Sequence, residues 1–503
     1  MKATFQTRLV LEPSSETLLH SYASLFGRVI RSLFAQVSAG KNPNSLKALF
    51  LKQFEITARQ FNACRVSLEG KISSIKVRNK QRIQEINDTI SCLEKKIPKI
   101  KDKEQRHQKK RRLFILQTRL KKLQTSLEKV PLCFGSKKLF RAQFALSENG
   151  FASHEEWKEM WQKERNSEIF VLGSKDETTG NQSCVAMQNE DDTLSLRLRL
   201  PNSLGSFGKY LILPNLKFAY GHNEILDALK RQTAISYRFK RDRKGWRLFA
   251  TIEREETPFV TDHRKGSIGL DLNADHIALV ETDRFGNPIH KKTLPLVTYG
   301  KDRNQTMACI GDLSKQIVAH AKQVQKPLVI EQLNFQKKKC ALRERSSKYA
   351  RMLSGFSYST TLTSICAKAN REGVLVTSIN PAFTSVIGRV KYAKRYGLSI
   401  HHRAALTIAR RAYGFSEKPP RLSGRIPDGK GGHVALPLPV RNRSKHVWSF
   451  WGVLSKKLRA ALAEHFRARH RSKDPPKADP CDRKISKVVG AIPARESLAA
   501  LLG

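Results

Sequence analysis

The sequence predicts a multidomain α+β protein, on three observations. A lysine- and arginine-rich stretch from about 68 to 130 carries apolar residues at helical spacing. Between 131 and 262, short runs of alternating apolar and polar residues are separated by Gly and Asn turns, as in half-buried strands. From 263 to 415, strand-like runs give way to helical stretches and back again, which is the pattern of an α/β segment. A chain of 503 residues has room for about two to four domains.

Charge limits the partners. Lysine and arginine number 93 against 44 aspartates and glutamates, a formal charge of +49. Self-repulsion on that scale opposes a compact fold, and a polyanion relieves it. Nucleic acid is the expected partner, because each neutralised phosphate also releases counterions. No apolar run approaches the roughly 20 residues of a spanning helix, so no membrane partner is expected. The N-terminal MKATFQTRLVLEPSS lacks the apolar stretch of a signal peptide. The cysteines, at 64, 92, 133, 184, 309, 340, 366 and 481, form no C-x-x-C pair, so neither a disulfide framework nor a zinc ribbon is expected. A reducing, cytoplasmic setting fits.

Residues 1–14 read as a strand, Lys2–Leu11, running into a helix start at Glu12–Glu16 with Ser14 or Ser15 as N-cap. Residues 15–130 follow as a helical region: amphipathic helices over 16–38 and 44–62, then a charged pair. In that pair Ile72, Ile75, Ile83, Ile86 and Ile90 recur at helical spacing, and so do Phe114, Leu116, Leu120 and Leu123. Pro98 breaks the run, which predicts an antiparallel helical hairpin with a basic tip over Lys95–Arg112. Such a hairpin is either a solvated charged pair or a nucleic-acid surface.

Residues 131–262 are expected to be β-rich, with strands at Ser167–Leu172, Thr193–Leu200, Lys209–Leu213, Ala234–Lys240 and Trp246–Glu253. Strict alternation through Leu196–Leu200 puts Arg197 and Arg199 on one face, and Tyr237–Lys240 repeats the pattern. Basic groups on an open face suit a phosphate backbone, or they are simply solvated.

The segment 263–415 opens with GSIGLDLNADHIALVETDRFGNPIH from Gly266 to His290, three apolar runs joined by Asp/Asn/Gly turns, and so predicts a β-meander. Asp271 falls inside the first run. A carboxylate there has to be paired, protonated or bound to a cation. A helix over Asp302–Gln325 leads to the strand Leu328–Ile330, which ends in Glu331. After it come Lys337, Lys338, Lys339 and Arg343, placed to hold substrate just beyond a strand end. Next are a strand at Gly373–Ser378, the run Pro381–Ser385, a basic aromatic stretch with Arg389 and Lys391, and a helix over Ser399–Tyr413.

Three strands in a row, an acid in the first, an acid ending a later strand and a polar residue on a late helix describe an RNase H-like arrangement. The pieces GLDLN, VIEQLNF and PAFTS, in that order, resemble the split RuvC nuclease domain of TnpB. TnpB proteins are transposon-encoded RNA-guided DNA nucleases related to type V CRISPR effectors. The resemblance covers roughly 265–415, and it covers the N-terminal half only in general layout. It implies a wedge β-barrel at 131–262 joined by the N-terminal strand, a helical recognition region at 15–130 and a RuvC-like α/β nuclease domain at 263–415. It also implies guide RNA and double-stranded target DNA as partners. Two departures stand out. The family's zinc ribbon has no counterpart in Val386–Ser399, so no zinc is expected. Where the family has an Asp three residues before an Ala-Ala pair, this chain has His401.

His401, Ala404, Ala405 and Ile408 follow i, i+3, i+4, i+7 and share a helix face, whose small residues let the helix approach the sheet. His402 is expected at the edge of that face. By the resemblance, Asp271, Glu331 and His401 are the catalytic residues and metal ligands of a metal-dependent endonuclease. Such an enzyme uses two cations about 4 Å apart, one activating water and one stabilising the leaving oxygen. Mg²⁺ prefers oxygen, so Asp271 is the expected bridge; an imidazole at the third position weakens metal affinity and favours Mn²⁺. Two other readings remain: a guide-RNA-dependent repressor that binds without cutting, and a junction resolvase or transposase that works without RNA. Residues 416–503 form a basic Pro/Gly-rich extension with a helix from Ser444 to Arg471.

Overall fold

The computed structural model describes residues 2–175, 178–332, 358–415, 418–420, 424–427 and 433–471, and the chain divides into two compact units after Glu255. Lys337, Lys338, Lys339 and Arg343 lie outside the described residues.

In the first unit, strand β1 (Lys2–Arg8) leads to helix α1 (Pro13–Ser38), whose missing first amide makes Pro13 a natural opening residue. The helix expected over 44–62 is interrupted. α2 (Lys47–Phe54) stops at Glu55, which takes a left-handed conformation at φ 47°, and α3 (Ala58–Lys96) restarts behind a Thr57–Gln60 capping box. α3 and α4 (Lys103–Glu128) form the expected hairpin, turning at Ile97–Lys99 around Pro98, with Asn79 donating to Ser126 across it. Two short helices, α5 (Lys137–Ala142) and α6 (His154–Arg165), gather around Trp157 and Trp161.

The β-rich part holds β2 (Glu168–Val171), β3 (Cys184–Gln188), β4 (Leu194–Arg199) and β5 (Tyr210–Leu216). Helix α7 (His222–Lys230), β6 (Ser236–Asp242) and β7 (Gly245–Glu253) complete it. The N-terminal strand does join this part, pairing with β7 in the antiparallel order β1-β7-β6-β2. The closed barrel is not found. β3, β4 and β5 form a separate three-stranded sheet, and no sheet closes on itself among the described residues. The inner faces of both sheets pack with α1 and α3 into one apolar core, so the strands are held by stacking instead of edge-to-edge closure.

In the second unit, β8 (Ile268–Leu272), β9 (His276–Thr282) and β10 (Pro288–Pro295) make the expected meander. After α8 (Arg303–Gln323), β11 (Leu328–Glu331) runs parallel to β8. Helix α9 (Tyr358–Arg371) and β12 (Val376–Ile379) follow, giving the order β10-β9-β8-β11-β12. Ile268, Leu270, Leu328 and Ile330 pack against Ile310 and Ile317 of α8 and Ile365 of α9 on one face. Helix α10 (Thr384–Lys391), the single turn α11 (Ala393–Tyr396) and α12 (Ile400–Arg411) follow. The hairpin β13 (Gly424–Pro427) and β14 (His433–Leu436) and helix α13 (Val447–Arg471) join α10 and α12 in an apolar cluster around Trp451. α12 lies across the other face of the sheet. A β-carbon on Gly269 would collide with the Ala405 carbonyl, so only glycine lets the helix backbone rest on β8. Helices cover both faces of this mixed sheet, as expected of an α/β segment at 263–415. Among the described residues, no helix is long and apolar enough to cross a membrane.

Candidate active site at the end of the mixed sheet

Alternation along β8 sends Ile268 and Leu270 to the α8 side and Gly269 to the α12 side, so Asp271 follows Gly269 towards α12. The register pairs Ile330 with Leu270, which makes Glu331 and Asp271 the next residues on two adjacent parallel strands. Val329 packs on Ile408 of α12, and Glu331, two residues on, takes the same side. Two carboxylates thus stand on one face at the ends of neighbouring strands. Glu331 is 9% exposed and its Oε1 accepts from the Thr384 hydroxyl, while the Tyr358 hydroxyl donates to its backbone carbonyl at 2.7 Å.

α12 brings the third residue. Ser399 caps the helix, its hydroxyl accepting from the His402 amide, and Ala404, Ala405 and Ile408 are buried on the face expected of them. His401 Nδ1 lies 3.1 Å from Asp271 Oδ2. A carboxylate accepts, so that nitrogen is the donor. Asp271 is 14% exposed in its side chain and His401 31%, so the pair is open to solvent.

The turn between β8 and β9 supports this pair. Asn273 Nδ2 donates to Asp271 Oδ2 at 3.1 Å and lies 3.4 Å from His276 Nε2. His276 Nδ1 donates to Asp275 at 2.7 Å, and its ring meets that of His401 edge to face, 4.7 Å between centroids. Asp275, His276, Asn273, Asp271 and His401 therefore form one connected set. Sequence reasoning read Asn273–Asp275 only as a turn. The available signal was a polar, histidine-bearing turn directly after a strand-borne acid.

One expectation needs correcting. His402 is not at the edge of the helix face but 8% exposed, held by Ser399 Oγ at 2.7 Å and 3.3 Å from Thr293 Oγ1 of β10. The preceding turn fixes it there, because Ser399 bonds both its amide and its ring. Burial comes first among the causes that hold its ring below the usual 6.5.

Two carboxylates suit a hard divalent cation, because Mg²⁺ keeps several waters and is commonly held by one or two carboxylates plus substrate phosphates. Among the described residues, no three His, Cys, Asp or Glu side chains converge to hold a metal ion, and His401 bonds Asp271 itself. Asp271 and Glu331 are the oxygen donors that would hold Mg²⁺ or Mn²⁺.

Of the basic residues expected to meet nucleic acid, two of the described ones belong to the first unit and two to the second. Arg197 and Arg199 project from the open face of β4, their guanidinium carbons 4.9 and 5.6 Å from the Tyr210 ring centroid, with Lys209 at 5.6 Å. Arg389 and Lys391 belong to α10, and Lys391 sits 5.8 Å from the Tyr392 ring.

No family model and no curated protein matches the chain. Among solved structures it is similar to T. thermophilus RuvC in complex with Holliday junction substrate, at 13% identity and a TM-score of 0.21, covering 29% of this chain and 95% of that one. It is also similar to a Cas12f1–sgRNA–target DNA complex, at 11% identity and a TM-score of 0.23, covering 82% and 100%. A CRISPR-Cas12f ternary complex matches at 12% identity and a TM-score of 0.21, covering 81% and 98%. Likeness at these scores fixes neither the architecture nor the activity of the chain.

Proposed function

We propose that the chain is an RNA-guided DNA endonuclease that hydrolyses phosphodiester bonds at Asp271, Glu331 and His401. The observation that carries this reading is the placement of two carboxylates on one sheet face with His401 3.1 Å from Asp271. The +49 charge supports a polyanionic partner, with guide pairing reading sequence while the protein reads backbone and a short adjacent motif. Asp271 and Glu331 would hold Mg²⁺ or Mn²⁺, which when bound supplies Lewis-acid polarisation of the phosphate. His401 orients the Asp271 carboxylate through Nδ1, and its Nε2 is an acceptor for a proton from attacking water. Asn273 and His276 fix both partners from behind, as supporting residues do around metal-binding carboxylates.

The non-cutting repressor is kept as a second reading, because no three-donor cluster forms among the described residues. RNA co-purifying with the protein is to be sequenced and used to design a matching DNA duplex. Cleavage of that duplex with Mg²⁺ or Mn²⁺ is expected. Tight binding of the duplex without cutting supports the repressor, and absence of bound RNA sinks both.

A further inference from the structure

The run Pro381–Ser385 joins β12 to α10, and one of its side chains reaches the site. Thr384, 2% exposed, is the first residue of α10, behind an N-cap, Phe383, whose side chain makes no capping bond. A buried hydroxyl is costly unless it is bonded, and this one has a single proton with two acceptors in reach. One is the Pro381 carbonyl at 3.2 Å and the other is Glu331 Oε1. An ionised carboxylate is the stronger acceptor, so the proton goes to Glu331. The Tyr358 hydroxyl already holds the Glu331 carbonyl at 2.7 Å. One hydroxyl therefore fixes the backbone of Glu331 and a second fixes its carboxylate.

The chain bends sharply to put Thr384 there. Phe383 is left-handed at φ 62°, a conformation that a bulky side chain keeps only where its surroundings hold it. Arg411 of α12 donates to the Asn380 carbonyl and, at 2.8 Å, to the Ala382 carbonyl. The Ala382 amide donates to Asn380 Oδ1 at 2.9 Å, and the Phe383 ring meets Trp448 edge to face, 6.5 Å between centroids. α12 thus sets His401 beside Asp271 near its start and clamps, at its end, the turn that delivers Thr384 to Glu331.

We propose that Thr384 is a positioning residue for Glu331, its hydroxyl fixing the direction of the carboxylate that is to hold Mg²⁺ or Mn²⁺. The inference rests on the nuclease reading of Asp271 and Glu331. A carboxylate that swings loses side-chain freedom when it takes a cation, and that loss is subtracted from affinity. One aimed beforehand by Thr384 avoids it, as hydrogen-bonded metal-binding carboxylates do.

The test reads Mn²⁺ binding to the full chain as purified, by electron paramagnetic resonance of the free ion, alongside single-turnover cleavage and thermal unfolding. Asp271→Ala serves as the reference that subtracts Mn²⁺ held elsewhere, on bound RNA included. Thr384→Val keeps the side-chain shape and removes the hydroxyl. It should weaken the Asp271-dependent binding by about 10- to 100-fold and raise the Mn²⁺ midpoint of cleavage in step. Thr384→Ser returns the hydroxyl and should recover most of both losses. Should Thr384→Val not fold, Thr384→Ala takes its place with the same expectations. A Thr384→Val protein that unfolds earlier but binds Mn²⁺ and cleaves as wild type does makes the residue structural and overturns the proposal. Equal losses in Thr384→Val and Thr384→Ser overturn it too, because the hydroxyl is then not what matters. A wild type with neither Asp271-dependent Mn²⁺ binding nor cleavage overturns the nuclease reading together with this inference, whereas a wild type that binds and cleaves beside an unaffected Thr384→Val removes this inference alone.

Discussion

Glu281 and Asp271 sit in neighbouring strands of one sheet, where Ile268 pairs with Glu281 and Asp271 with Ala278. Each acid has a basic partner, but the two pairs are built differently. Glu281 is 8% exposed in its side chain and is closed off by Lys326, whose ammonium also takes the Thr282 carbonyl. Asp271 faces an imidazole in place of an ammonium, and that imidazole is 31% exposed. The Glu281 pair satisfies itself, whereas the Asp271 pair remains reachable by a third body. A carboxylate committed to a buried ammonium has nothing left to offer a ligand; one held by a half-exposed histidine can still act on one. Position within the fold therefore separates an acid closed into the core from one that a ligand can reach, although both are strand-borne acids in the sequence.

The largest effect on stability belongs to the closed pair. Lys326→Met leaves Glu281 buried without its partner and should cost about 3–5 kcal/mol in denaturant unfolding, whereas pairing it with Glu281→Gln should recover most of that. A loss below about 1 kcal/mol would put the two pairs in the same class. His402→Ala comes next. It empties a buried site and takes the ring partner away from the Ser399 and Thr293 hydroxyls, for about 1–3 kcal/mol, while cleavage stays within about tenfold of wild type. His401→Ala should reverse that pattern, with less than about 1 kcal/mol of stability lost and cleavage down by several powers of ten. Asn273→Ala and His276→Ala, which loosen the support of Asp271 and His401, should lower cleavage by about 10- to 100-fold in single-turnover assays.

The smallest effect is a pH slope at the closed end. His320 Nε2 stands 3.2 Å from Glu281 Oε2, off hydrogen-bonding alignment. Burial is the first cause holding its ring below 6.5; His290 and Lys292 add to that, and Glu281 opposes it. A base with a folded pKa below its unfolded value binds more protons when unfolded, so this contribution is present above about 6.5 and is lost as the pH falls through the folded value. Unfolding at pH 7.5 and pH 5.5 should show a weaker fold at the lower pH, and His320→Gln should flatten the difference.

Much of this architecture was legible in the residues. Turn clusters at Asn273–Asp275 and Asp283–Asn287 announced the meander, Pro98 announced the hairpin, and the spacing of Ala404, Ala405 and Ile408 put His401 on the face that meets Asp271. Features set by contact between distant segments were less legible. α6 was passed over although Ser153, Glu155 and Glu156 mark its start and Trp157 and Trp161 mark its buried face. β3, CVAMQ, follows a polar turn but shows no apolar–polar alternation of its own, and pairing with β4 is what makes it a strand. The break at Glu55 depends on a left-handed residue that no glycine announced. Arg403 sits among helix-surface arginines in the sequence and becomes buried only because α10 crosses α12 at Gly388.

The most direct measurement takes the guide-loaded protein and compares wild type with Asp271→Ala on one matching DNA duplex, reading cleavage and equilibrium binding in the same samples. Removing the carboxylate takes away a cation ligand and no phosphate contact. Cleavage should therefore fall by several powers of ten while the Kd for the duplex stays within about threefold of wild type. If binding is lost as severely as cleavage, Asp271 is part of the frame and not of the chemistry, and the contrast with Glu281 collapses.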